Sequence, residues 1–179
     1  MDEKELISQL QNPKTQSKAF EILVQQYQRR LYWHIRRMVL SHDDTDDVLQ
    51  DTFVKVFKNI TNFRGESSLF SWLYRIATNQ ALDFLKKRAA EKHTSIEDIQ
   101  ADRASQLQSD AYYEGDAMQL KFQQAIATLP EKQQLVFNMK YFEEMKYEEI
   151  SEILDTSVGA LKASYHHAVQ KIKNFLETN

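Results

Sequence analysis

Five aspartates, Asp43, Asp44, Asp46, Asp47 and Asp51, fall within nine residues. Carboxylates at that density can hold a divalent cation, start a helix or meet a basic partner. A calcium loop of the EF-hand type needs a mid-loop Gly and a terminal Glu, and this stretch has neither. No metal is expected there. Asp43 and Asp44 suit the positive start of a helix. Asp47 and Asp51 lie one turn apart, and at ~100° per residue they share a face with Val54 and Lys58. An acidic stripe beside an exposed apolar residue fits docking onto an Arg-bearing partner helix. A plain solvated face fits the same residues.

A second group lies just beyond. The segment NFRGESS, residues 62–68, holds Gly65 and two serines and reads as a loop bearing the exposed-type aromatic Phe63 and the cation Arg64. In the helix after it, Arg75, Asn79 and Lys86 align in one stripe, with Trp72 and Asp83 at its edge. Cations hold phosphate, amides read base edges and aromatics stack on unpaired bases, so this face suits single-stranded DNA. The alternative is a core Trp72 and an ordinary cationic helix end at Lys86, Lys87 and Arg88. A third group opens the last helical segment: Gly159, Ala160 and Ala163, then His166, His167 and Gln170, flanked by Lys162, Lys171 and Lys173. Small residues there let a backbone approach a groove, and flanking lysines suit phosphates. His166 and His167 are adjacent and diverge by ~100°, so they make poor joint ligands for one metal.

Helices must carry all three groups. Phe20, Leu23, Val24, Tyr27, Leu31, Ile35, Met38 and Val39 recur at helical spacing. Ser41 to Asp44 then offer caps for a helix over about 44–59 that buries Leu49, Phe53, Val56, Phe57 and Ile60. A third helix, capped by Ser67 or Ser68, buries Leu69, Leu73, Ile76, Ala77 and Phe84. Near the C-terminus, Pro130 occupies a first helical position, and Leu135, Val136, Met139 and Phe142 form one face. A short helix with Tyr147, Ile150, Ile153 and Leu154 follows. After Asp155, Thr156 and the N-cap Ser157, a longer helix turns Leu161, Tyr165, Ala168, Ile172 and Phe175 inward. Short helix, tight turn and longer helix make a helix-turn-helix.

Composition narrows the class. The chain has 179 residues, no Cys, 3 Gly and 2 Pro. Thiolate metal sites, disulfide scaffolds and cysteine nucleophiles are excluded, and so few turn formers argue against an all-β fold. The three glycines are too dispersed for a phosphate loop. No apolar run approaches the ~20 residues that span a bilayer. The start, MDEKELISQL, is acidic and unlike a signal peptide, so a cytoplasmic all-α protein without membrane insertion is expected. The net charge is −3, but it is uneven. Residues 1–90 carry 14 basic and 11 acidic residues, residues 91–116 carry 2 and 7, and residues 117–179 carry 7 and 8. The acidic middle therefore reads as a linker between two small helical domains, 1–90 and 117–179. It is expected as a solvated tether, the alternative being an acidic strap in a partner's basic channel. A short helix is placed at Ser95, with Asp98 in the capping-box position.

Two blocks then carry a resemblance: DDTDDVLQDTFVKVFKNITNFRGESSLFSWLYRIATNQALDFLKK and LPEKQQLVFNMKYFEEMKYEEISEILDTSVGALKASYHHAVQKI. In order and spacing the chain resembles an extracytoplasmic-function sigma factor of the sigma-70 family of bacterial RNA polymerase. The resemblance implies a transcription initiation factor, not an enzyme, without cofactor. It implies that Asp47, Gln50, Asp51, Phe53 and Val54 dock on core polymerase. It implies that Asn62, Phe63, Arg64, Gly65, Ser67, Ser68, Trp72, Arg75, Asn79 and Lys86 read and melt the −10 promoter element, with a flipped base in the loop. Thr156, Ser157, Gly159, Ala160, Lys162, Ala163, Ser164, His166, His167, Gln170 and Lys171 would read the −35 element in duplex DNA.

The linker would thread toward the polymerase active site and RNA exit path. An inhibitory anti-sigma protein is the further partner implied. Many relatives carry Gly at the position of Asp155, and Arg at those of Ser164, His167 and Val169. Fewer cations mean weaker, less salt-dependent binding by this domain alone. Two readings compete. An autonomous helix-turn-helix repressor would dimerise over two half-sites, but no heptad or apolar extension offers a dimer seam, and a monomer is expected. A phosphate-directed enzyme using the aspartates as metal ligands is the other.

Overall fold

The computed structural model describes residues 1–109 and 116–179. Among these residues nine α-helices and no strand occur. Helix α1 (Glu3–Leu10) is capped by Asp2, whose carboxylate accepts from the Glu5 amide at 2.7 Å. It is short and buries only Leu6 and Leu10. The sequence does not signal it, because eight residues with two apolar anchors carry little periodic pattern.

Helix α2 (Gln16–Val39) supplies the long stripe read from sequence, with Leu23, Leu31, Ile35 and Val39 fully buried. The chain reverses at Leu40, a buried non-glycine residue with φ 66°. Helix α3 (His42–Asn59) starts at Ser41, whose hydroxyl accepts from the Asp44 amide. A 3-10 turn (Ile60–Asn62) and a loop lead to α4 (Leu69–Glu91). Ser68 caps α4 by accepting from the Ser71 amide at 3.1 Å. Helices α2, α3 and α4 pack together around Val48, Val56, Ile60, Leu73, Ala77 and Leu85.

Two buried faces differ from expectation. In α3 the inward stripe is Thr45, Val48, Thr52 and Val56, while Phe57 is exposed and Leu49 and Phe53 are half-buried. The threonines can face inward because each hydroxyl donates within the helix, Thr45 to Ser41 O at 2.6 Å and Thr52 to Val48 O at 2.7 Å. In α4, Ile76 and Phe84 are half-buried, and Tyr74, Thr78 and Ala81 take the interior instead.

The linker is not a plain solvated tether. Ser95 accepts from the Asp98 amide and opens α5 (Ile96–Ser105), followed by a 3-10 turn (Gln106–Ser109). Ile99, Ala104 and Leu107 are buried, and the Gln100 amide donates to Met38 O at 2.9 Å. The segment expected as a linker thus supplies a donor to one of the carbonyls that the end of α2 leaves open. Residues 110–115 of the linker lie outside the described residues.

Helix α6 (Ala117–Ala127) is capped by Asp116. Helix α7 (Glu131–Tyr141) has Pro130 at its N-cap, one position before the first-turn site expected. Helices α8 (Tyr147–Leu154) and α9 (Val158–Thr178) form the helix-turn-helix, with Asp155 in the left-handed region at φ 51°. Asp tolerates that conformation better than most residues. Ser157 caps α9 as expected, accepting from the Ala160 amide at 3.2 Å. Phe137 stacks on Tyr165 at 5.8 Å between α7 and α9.

The two helical halves touch. Val136, Met139, Met145 and Ile150 belong to the same apolar cluster as Leu73 and Ala77. Glu143, nearly buried, joins them with polar bonds: Oε1 accepts from Arg37 at 2.9 Å and Oε2 from the Tyr74 hydroxyl at 3.0 Å. The Arg37 guanidinium also lies 4.4 Å from the Phe142 ring centre.

Candidate nucleic-acid and polymerase interfaces

The loop after α3 forms a groove. Asn62, Phe63, Arg64, Glu66, Ser67, Trp72 and Arg75 line a cavity of about 420 Å³, within the ~300–1,000 Å³ typical of small-ligand pockets. Gly65 turns the loop at φ 74°, a conformation that L side chains rarely adopt, although the space beside it is open. Phe63 is not exposed as expected. It is 9 % accessible and packs on Trp72 with ring centres 5.1 Å apart. The aromatic surface left to a ligand is therefore the outer part of Trp72, with Phe63 as its support.

Further along α4, Arg75, Asn79 and Lys86 are all exposed, so the stripe read from sequence exists. It is partly covered. The Arg75 guanidinium donates to the Glu152 carbonyl of α8. A second cleft of about 330 Å³ separates Arg75, Asn79 and Leu82 from Lys132, Ile153 and Asp155. Glu152 also lines the loop groove. These crossings between halves were invisible to sequence, because a single guanidinium on a backbone carbonyl leaves no periodic pattern.

On α3, Asp47, Gln50, Asp51 and Val54 are exposed, and Val54 reaches 51 %. Beside them Phe20, Phe53, Val54, Phe57 and Lys58 form an apolar cleft of about 230 Å³. Phe20 meets Phe57 edge-on at 5.1 Å. The acidic stripe thus borders an apolar one, and Phe20 and Phe57 are the members that sequence reasoning did not place there. Among the described residues no group of three or more His, Asp or Glu is arranged to hold a metal. No helix there is long and apolar enough to cross a membrane.

On α9, Gly159, Ala160, Lys162, Ala163, His166, His167, Gln170 and Lys171 are exposed together, beside exposed Ser157 and half-buried Thr156 and Ser164. The Lys162 ammonium sits 5.8 Å from the ring centre of Tyr147 on α8. Burial, then neighbouring Tyr147 and Tyr141, raise the pKa of Tyr165 behind this face, which stays neutral.

Two family descriptions match these halves. Sigma-70 region 2 matches residues 23–91, and Sigma-70 region 4 matches residues 119–172. The chain belongs to the extracytoplasmic-function group of the sigma-70 family. It is a sigma factor, the promoter-directing subunit of RNA polymerase. It is 32 % identical to the ECF RNA polymerase sigma-E factor of Haemophilus influenzae over 89 % of this chain and 88 % of that one. The fold is similar to CnrH in complex with the cytosolic domain of CnrY, with TM-score 0.73, 21 % identity and coverage of 99 % and 98 %. It is also similar to the sigma factor RpoE in complex with the anti-sigma factor NepR from Bartonella quintana, with TM-score 0.69, 19 % identity and coverage of 90 % and 99 %.

Proposed function

We propose that this sigma factor divides its work among three faces. Residues 1–90 dock on core polymerase through Asp47, Gln50, Asp51, Phe53 and Val54. The same segment captures the melted −10 strand with the loop Asn62–Ser68 and with Trp72, Arg75, Asn79 and Lys86. Residues 117–179 read the −35 duplex through the exposed start of α9, and residues 91–116 connect the two. The observation that carries the reading is the groove of loop, Trp72 and Arg75, where an aromatic face and two cations meet in a cavity of ligand size.

The docking role is supported by charge next to apolar surface on α3, a combination that steers encounter and then buries area. The −35 role is supported by small residues at the start of α9, flanked by Lys162 and Lys171. The function needs no catalytic residue in this chain. Acting on chromosomal DNA, the protein works in the cytoplasm, as a monomer within holoenzyme. The sigma factor RpoE of Bartonella quintana is seen in complex with the anti-sigma factor NepR, and an inhibitor of that kind is the further partner of this chain.

The closed arrangement bears on mechanism. Glu152 lines the groove and its backbone carbonyl accepts from Arg75. Capture of a DNA strand therefore requires α8 to leave α4. Gel filtration of the full chain with core polymerase tests the docking part: a stoichiometric complex is expected, and separate elution would refute it.

A further inference from the structure

Helix α1 precedes residue 23, where the match to region 2 begins, yet it grips both ends of the −10 loop. At the entry, the amide nitrogen of Gln11, the C-cap residue of α1, donates to two backbone carbonyls, Ile60 O at 3.0 Å and Phe63 O at 2.7 Å. These oxygens belong to the last turn after α3, where helix ends leave carbonyls without intrahelical partners. The Ile60 oxygen also accepts from the Phe63 amide at 3.2 Å, so Gln11 locks a closed turn. Phe63 then leaves the helical region at φ −69° and ψ 122°. At the exit, the Glu3 carboxylate accepts from the Leu69 amide, the first of α4, at 3.2 Å. Between these holds, Arg64, Gly65 and Glu66 make no hydrogen bond or ion pair with the described residues. The brace is itself anchored, since Leu6 and Leu10 are buried and the Thr15 hydroxyl donates to Gln9 O.

We propose that α1 is the positioning element of the promoter-reading loop, with Gln11 fixing the loop's entry and Glu3 its exit. The inference rests on the reading that this loop and Trp72 receive an unpaired promoter base. Gln11 does not touch DNA. One planar NH₂ group bonded to two carbonyls fixes the direction in which the chain leaves Phe63. That in turn sets where Arg64 and Ser67 stand relative to Trp72. Holding a binding loop near its bound geometry lowers the ordering cost of binding.

The test uses full-length chain reconstituted with core polymerase. The probe is a short fluorescein-labelled single-stranded DNA, selected from a random pool by wild-type holoenzyme. Gln11→Leu removes both donors, and Gln11→Lys restores a donor at similar reach. Gln11→Leu should weaken probe binding about three- to tenfold while its affinity for core polymerase stays within twofold of wild type. Gln11→Lys should recover most of the loss. Probe binding by Gln11→Leu within twofold of wild type, while Arg64→Ala loses binding, would overturn the brace and leave the loop reading intact. Loss of polymerase affinity in Gln11→Leu that Gln11→Lys does not restore would mark a folding role and also overturn it. If Arg64→Ala and Trp72→Ala bind the probe as wild type does, the loop reading itself fails, and the brace with it.

Discussion

His34 sits wholly buried between α2 and α4, and its hydrogen bonds assign its proton. The Thr78 hydroxyl donates to Tyr74 O at 2.6 Å, so its oxygen accepts from His34 Nε2–H at 2.8 Å. Nδ1 has no partner. Burial, and then the nearby Arg37 charge, hold the imidazole at about 3 against an ordinary 6.5. The folded state therefore stays neutral while the unfolded chain takes up a proton as pH falls through 6.5. Stability is full above that value and drops on acidification, by on the order of 1 kcal/mol per pH unit below it. Denaturant titrations at pH 7 and pH 5 should show the loss. His34→Gln, which keeps a donor toward Thr78, should reduce it, and an unchanged pH dependence in that variant would contradict the assignment. On α9, exposed Lys162 is the cation proposed to meet a phosphate. Lys162→Ala should lower promoter affinity and make the log-affinity slope against log salt shallower by about 1. An unchanged slope would place Lys162 away from phosphate.

Among the elements, α3 serves two surfaces at once. Its Thr45–Val48–Thr52–Val56 stripe holds the core, while Asp47, Asp51 and Val54 face out. Asp47→Ala combined with Asp51→Ala should weaken core-polymerase binding about tenfold, on the order of 1 kcal/mol. Single-stranded DNA binding should be unaffected, and thermal stability should shift by no more than ~0.5 kcal/mol because the residues are exposed. Equal polymerase affinity in the double variant would remove α3 from the interface. The helices themselves were legible because apolar residues recur with a period near 3.6, and the caps Ser41, Ser68, Ser95 and Ser157 all stand where hydroxyl residues precede apolar runs. The phase of α3 was not fully legible. Threonines look polar in a sequence, yet with their hydroxyls bonded inside the helix they pack as apolar residues. That let Phe57 turn outward into the cleft beside Val54. Phe63 differs from expectation for the converse reason: a loop aromatic looks exposed in a sequence, yet Trp72 packs over it.

At the scale of the whole molecule, the arrangement in hand is a closed one. Charge by segment set residues 91–116 apart as acidic but did not show where they pack, because Ile99, Ala104 and Leu107 are too widely spaced to read as a packing face. Nor did sequence expose the bridge of Glu143 to Arg37 and Tyr74. Burial, followed by the neighbouring Glu143 carboxylate, raises the Tyr74 pKa, which keeps the hydroxyl protonated and donating. Glu143→Ala would leave the Arg37 and Tyr74 donors without their acceptor, at a cost of ~1–3 kcal/mol to the closed form. Small-angle scattering of that variant should give a larger radius of gyration with unchanged helicity by circular dichroism. An unaltered radius would mean that the apolar seam alone holds the halves together.

Transcription from a library of genomic promoter fragments, with core polymerase and with or without this chain, shows whether the chain directs polymerase to promoters. Discrete runoff products should appear only when the chain is present and should share sequence in two blocks, at −35 and −10. Those products should disappear when Asp47 and Asp51 are both replaced by Ala. A product pattern identical with and without the chain would refute a promoter-directing role.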